Sequence, residues 1–196
     1  MSDAHWDKLN KEQKKIIKEA RSDVEMRKAT LNQAPILMYS DLCKKAKKNG
    51  ATRTIAQMFK QSPQNIILLQ DPTNMNSGHW FSVSCNPAKK EIYFFSTYGK
   101  RPDVEKVSWI PKALLKFSDQ DVNLFNDALK DYQKHGWTIF YNSYPYQKED
   151  EETATCGIFT AAFLRSGMNP DDFAEYTKGI IELGENPAIK YFNRYF

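Results

Sequence analysis

The chain has 196 residues, 41% hydrophobic and 13% aromatic, enough for one sizeable domain with a packed core and too apolar for a disordered tract. Its formal net charge of +4 is mild, permitting contact with nucleic acid or an acidic partner without demanding it. No apolar run is long enough to cross a bilayer, the first residues lack the apolar centre of a secretory signal, and the three scattered cysteines, Cys43, Cys85 and Cys156, form no metal-spaced pair and fit a reducing compartment.

In chain order, residues 3–30 read as one charged helix, an N-terminal basic arm (1–30) set loosely on a main domain (31–196). Trp6, Leu9, Ile16, Ile17 and Ala20 give it an incomplete apolar stripe, and lysines load the rest. The apolar segment Ala34–Tyr39 leads to a helix near 40–49, capped by Ser40 or Asp41 and stopped by Gly50, and a second short helix follows at 53–60. Asn65–Gln70 reads as a buried strand and 71–78 as a polar loop.

His79–Cys85 and Lys90–Ser96 form the best strand pair. Asn86-Pro87 at the start of the link suits a type I turn. A simple hairpin register sets residue 85 against 90, and so places His79 opposite Ser96 on the face that carries Phe81 and Val83. A helix is expected over 118–134, capped by Ser118 or Asp119, then a strand at Trp137–Tyr141, then a loop carrying Gln147 and the acidic run 148–152.

That loop delivers the chain to Thr155, a reasonable N-cap, and Cys156. Ile158, Phe159, Ala161, Ala162, Phe163 and Leu164 leave the next helix almost no polar face, so it belongs in a core. A helix N-terminus should ease ionisation of the Cys156 thiol, and Gly157 should let a substrate approach the backbone. A helix near 170–183, with Pro170 at its first position, and a last helical segment with Tyr191 and Tyr195 complete an α+β chain with a central antiparallel sheet flanked by helices.

Three residues suit thiol hydrolysis: a cysteine nucleophile (Cys156), a histidine (His79) to take and return a proton, and an amide donor (Gln147) for a developing oxyanion. Taken with Gly78-His79-Trp80, Ile92–Gly99 and Thr155-Cys156-Gly157-Ile158-Phe159, this pattern resembles the adenain-like cysteine proteases. That family shares a clan with the SUMO-specific proteases and has relatives in adenoviruses, large DNA viruses and virophages. The chain order His, acid, Gln, Cys separates it from papain-type enzymes, which run Gln, Cys, His, Asn. The likeness covers roughly residues 65–165.

The resemblance implies an adenain/Ulp-like fold with Cys156 as nucleophile, His79 as its partner, Gln147 as oxyanion donor and Trp80 as a wall of the site. It implies an endopeptidase that cleaves viral structural precursors such as capsid proteins after small residues, Gly-Gly or Gly-X. The substrate partner is a polypeptide. No cofactor or metal is implied, although some relatives need a peptide or DNA for full activity. A monomer without a membrane partner is expected, in the virion or the host-cell cytoplasm or virus factory, and not secreted. The basic arm with Lys44, Lys45, Lys47, Lys48 and Arg53 is a candidate for nonspecific, salt-sensitive DNA binding.

Two departures stand out. Ser96 occupies the position where the family carries Asp, Glu or Asn, which implies a Cys–His dyad and an expected gain in activity for Ser96→Asp. Gln147 lies farther before Cys156 than the family pattern, as though the acidic run were a looped-out insertion. An isopeptidase acting on ubiquitin-like tags, a non-catalytic binding module on the same fold, and a chance match in a capsid or DNA-associated protein are the alternatives.

Overall fold

Five strands form a single mixed sheet in the order β1 (Ile36–Met38), β2 (Gln64–Gln70), β3 (Gly78–Asn86), β4 (Glu91–Ser96), β5 (Thr138–Tyr141). The computed structural model describes residues 9–74, 78–147 and 153–196. The central pairings, β2–β3 and β3–β4, are antiparallel as expected, whereas the outer pairings, β1–β2 and β4–β5, are parallel. Each parallel pairing needs a long crossover, and helices supply both. The architecture is α+β, with helices on both faces of the sheet.

Side-chain alternation assigns the two faces. Ile66, Trp80 and Phe95 point toward α8 (Cys156–Ser166), α9 (Pro170–Glu182) and α10 (Pro187–Tyr195). Ile67, Leu69, Phe81, Val83, Ile92 and Phe94 point toward α3 (Tyr39–Asn49), α4 (Ala51–Gln61) and α7 (Leu124–Lys134). The helix α8 is buried from Cys156 to Leu164, as its all-apolar sequence requires, and Phe163 stacks on Phe95 at 4.4 Å between centroids.

Several expectations need correcting. The described part of the arm is two helices, α1 (Lys11–Lys18) and α2 (Asp23–Ala29), because Asn10 with Gln13 and Ser22 with Glu25 each close a capping box and so begin a new helix. This segment is not loosely set. Ile17, Met26 and Ala29 are fully buried against α8, and the Ala154 N–H donates to the Ile17 carbonyl at 2.8 Å.

The hairpin register is also shifted by two residues. Cys85 pairs with Ile92 and Phe81 with Ser96, because Pro87–Lys90 forms a four-residue loop with Lys90 in the left-handed region (φ 52°). The helix expected over 118–134 splits as well. A short α6 (Lys112–Phe117) ends where the Ser118 hydroxyl bonds back to the Leu114 carbonyl, and Asp119, at φ 59°, turns the chain before α7. Between β4 and α6 lies one further turn of helix, α5 (Lys106–Trp109).

Candidate active site

His79 is the second residue of β3, and its ring lies on the Phe81 face of the sheet. Tyr98 stacks on it at 4.3 Å. The two-residue register shift preserves side-chain parity, so Ser96 stays on the face of His79, diagonal to it rather than opposite. His79 Nε2 lies 3.1 Å from Ser96 Oγ.

A residue absent from the sequence reading completes this cluster. Glu105, in the connection between β4 and α5, accepts a hydrogen bond from the Ser96 hydroxyl, and its Oε2 lies 3.6 Å from His79 Nε2. All three side chains are at most 3% exposed. A carboxylate can only accept, so the hydroxyl donates to Glu105 and accepts from Nε2–H. This arrangement sets the tautomer of His79 and leaves Nδ1 as the basic nitrogen. Among the described residues Nδ1 has no hydrogen-bond partner.

Cys156 opens α8 on the other face of the sheet, and the backbone N–H of Trp80 reaches its sulfur. The nucleophile candidate thus meets β3 one residue from His79. Burial pushes the Cys156 thiol up, against the pull of the Trp80, Gly157 and Cys156 N–H groups, and the Glu105 charge adds to the rise. The expected easing of ionisation by the helix N-terminus is therefore overridden by desolvation at a side chain only 6% exposed. Burial likewise pushes the His79 imidazolium down, to about 3. The resting pair is a neutral thiol and a neutral imidazole.

Gln147 is 7% exposed and its amide orientation is fixed from both ends. The hydroxyls of Thr155 (3.3 Å) and Thr97 (3.4 Å) donate to Oε1, and Nε2 donates to the Thr153 carbonyl at 2.8 Å. The second N–H of Nε2 has no partner among the described residues. Thr155 occupies the N-cap position, yet its side chain makes no capping bond because it is turned to Gln147. The acidic run 148–152 lies outside the described residues. Asn142, a plausible competitor as amide donor, is fully engaged: its two N–H groups go to the Ser96 and Tyr144 carbonyls, and its Oδ1 accepts from Ser96 N–H.

Trp80 and Gly157 both meet the arm. The Trp80 indole N–H donates to the Arg21 carbonyl at 2.9 Å, tying the arm to β3. The bare Cα of Gly157 faces Arg21, where an added Cβ would lie 2.8 Å from Arg21 Cβ. The arm therefore packs against the Cα of Gly157. In the basic patch, Lys47 is paired with Asp119 and Asp121 at 2.9 Å and Lys44 lies 3.9 Å from Asp41 and Asp119. Among the described residues no three His, Cys, Asp or Glu side chains converge as a metal site, and no helix is long and apolar enough to cross a membrane. A surface hollow of about 400 Å³ between α1 and α10 shares no residue with the His79–Cys156 region.

The chain is similar to a virophage protein. It is 29% identical over 176 residues to the uncharacterized protein V9 of Sputnik virophage, covering 88% of this chain and 90% of that protein. No family model matches the sequence. Among solved structures, the C-terminal Ulp1 protease domain in complex with Smt3, the yeast ortholog of SUMO, gives a TM-score of 0.39 at 14% identity over 76% of this chain. Ulp1 with its catalytic cysteine oxidized to a sulfenic acid gives 0.36 at 16% identity over 81% of this chain. The chain spans 66% and 65% of those two solved chains, so the likeness is distant and partial.

Proposed function

We propose that this chain is a cysteine peptidase in which Cys156 is the nucleophile, His79 the proton carrier and Gln147 the oxyanion donor. The observation that carries the reading is the convergence on one end of β3. The first residue of a buried helix presents its sulfur to the backbone beside a histidine whose tautomer leaves Nδ1 basic, and an immobilised amide, with one N–H unpartnered among the described residues, is anchored to the residue before that cysteine.

The chemistry follows from these groups. His79 Nδ1 takes the thiol proton as the sulfur bonds to the scissile carbonyl carbon, and the carbonyl electrons move onto oxygen. Gln147 Nε2–H and the Cys156 backbone N–H stabilise that oxyanion. Collapse breaks the C–N bond, and the imidazolium gives its proton to the leaving amine. Water, deprotonated by His79, then hydrolyses the thioester and restores the thiol. Transfer of the proton from sulfur to His79 creates two charges where burial disfavours both, so bound substrate and the surrounding dipoles must stabilise the ion pair.

The substrate proposed is a viral structural precursor cut after a small residue. The motif resemblance supports this choice, and the virophage relative supports a viral setting. The test is incubation of the protein with Gly-Gly-X and Gly-X-Gly peptides, and separately with its virus's capsid precursor, followed by mass spectrometry. Cleavage by wild type and none by Cys156→Ala is expected. Peptides left intact by a folded wild-type chain, with and without added DNA, would instead support a binding role for this fold.

A further inference from the structure

The strand position beside His79 holds a serine, yet a buried carboxylate reaches the same histidine from outside the sheet. We propose that Glu105 is the acid that orients His79 and balances its charge, acting through the Ser96 hydroxyl. The inference rests on the peptidase reading above and assigns the site a third side chain from an unexpected place.

Three observations carry it. First, the Nε2–Oγ distance of 3.1 Å, the Ser96–Glu105 hydrogen bond and the 3.6 Å Nε2–Oε2 separation form a continuous chain from imidazole to carboxylate. Second, the segment that bears Glu105 is locked in place. Asp103, held at φ 63°, accepts from Tyr39 Oη at 2.5 Å and from Asn126 N–H at 2.8 Å. Lys106 Nζ donates to Tyr39 Oη at 2.9 Å and to the Val122 carbonyl at 2.5 Å. These bonds tie the residues on both sides of Glu105 to α3 and to the start of α7. A carboxylate held so firmly against a histidine is pre-organised, and a solvated turn would not bury Asp103, Glu105 and Lys106 together.

Third, the direction of Glu105's influence suits the reaction. A carboxylate within about 4 Å favours the charged imidazole, opposing the effect of burial. The groups around the ring are Glu105, the Ser96 hydroxyl and the Tyr98 face. Asp103 and Lys106, 3.9 Å apart, largely offset one another nearby.

This geometry reverses the expectation for Ser96→Asp. With Glu105 already in contact, a second carboxylate at position 96 sets two like charges in one buried site, and one of them must take up a proton. Moving the acid is a different matter. Ser96→Asp combined with Glu105→Gln keeps one carboxylate and returns it to the strand.

The experiment measures kcat and KM on a cleaved Gly-Gly-X peptide, and the pH dependence of Cys156 alkylation by iodoacetamide, for wild type, Glu105→Gln, Ser96→Asp and the double variant. Glu105→Gln is expected to lower kcat by roughly 10- to 1,000-fold with KM little changed, matching the loss of one to three pH units of imidazolium stabilisation. Its alkylation profile should shift to higher pH, the lost imidazolium stabilisation outweighing the relief of the Glu105 charge on the thiol. Ser96→Asp alone should lose activity, and the double variant should recover at least tenfold over Glu105→Gln. The double variant keeps a single buried carboxylate, so the test stands even if Glu105→Gln does not fold: a folded double variant should then be active. Wild-type rate and an unshifted profile in Glu105→Gln, or a folded double variant that is inert, would overturn the assignment. If the wild type cuts no peptide, the peptidase reading fails separately, and the alkylation profiles alone decide whether Glu105 acts on His79.

Discussion

Gly157→Ala separates two explanations of the glycine that follows Cys156. An ideal Cβ there would lie 2.8 Å from Arg21 Cβ, 2.9 Å from Arg21 Cγ and 3.0 Å from Met26 Sδ. Favourable carbon contacts sit near 3.5–4.0 Å, so either the arm or α8 has to move. Overpacking of this kind costs about 1–3 kcal/mol, and the gain of Ala over Gly in a helix returns about 0.5–1 kcal/mol. The net loss is about 1–2 kcal/mol, or a fall in Tm of roughly 2–8 °C for a chain of this size. Thermal unfolding measures it. Arg21→Ala should not relieve the strain, because Arg21 Cβ is the nearest atom, whereas Arg21→Gly should. A double-mutant cycle of Gly157→Ala with Arg21→Gly should therefore give a coupling of about 1 kcal/mol or more. If Gly157→Ala leaves Tm unchanged and raises KM alone, the glycine serves substrate access and the arm-packing account is wrong.

The other predictions are as follows. Gln147→Ala should lower kcat by roughly 10²–10³-fold with little change in Tm, while Asn142→Ala should lower Tm because both of its N–H groups hold main chain; comparing kcat and Tm for the two variants checks the donor assignment. Trp80→Phe leaves the Arg21 carbonyl without its indole donor, and a loss of about 1 kcal/mol should appear as a Tm lower by roughly 2–4 °C. Burial holds His79 at about 3 in the fold against 6.5 for the free side chain, so the unfolded chain takes up the proton first. The His79 contribution to stability is thus complete above pH 6.5 and is lost as pH falls toward 3. Tm should fall less steeply across that window in His79→Gln than in wild type, and equal slopes would contradict the burial argument.

The parts of the fold and candidate site that were legible in the sequence are those fixed by local pattern. An apolar run without a polar face identifies α8 as a core helix, and its first residue, Cys156, follows from that boundary. Alternation identifies β3 and β4. A simple hairpin register is wrong by two residues yet still sets Ser96 on the face of His79, because an even shift keeps the face and a one-residue error loses it. Glu105 could not be read this way. It lies in a charged connection whose residues, Arg101 to Lys106, look like a solvated turn, and its burial depends on Tyr39, Val122 and Asn126, which are distant in the chain. The Gly157 contact depends likewise on Arg21. The split of the arm is visible in the capping-box spacing of Asn10 with Gln13 and Ser22 with Glu25, a signal masked by the lysine content of residues 8–18, which resembles that of one solvated helix. The Asp119 turn needed a left-handed aspartate, for which the sequence gives only a weak signal.

The central claim is that Cys156, out of three thiols, attacks a carbonyl with help from His79. Its most direct test uses a Gly-Gly peptide ending in a vinyl sulfone, with intact mass and tryptic mapping of the adduct. Burial pushes all three thiols up, Cys43 and Cys85 to about 11, so none rests as a thiolate near neutral pH and rapid reaction is expected only where His79 can take the proton. The account predicts one adduct, on Cys156, formed by wild type and lost in His79→Ala. An adduct on Cys85 instead, or equal labelling of Cys156 with and without His79, would contradict it.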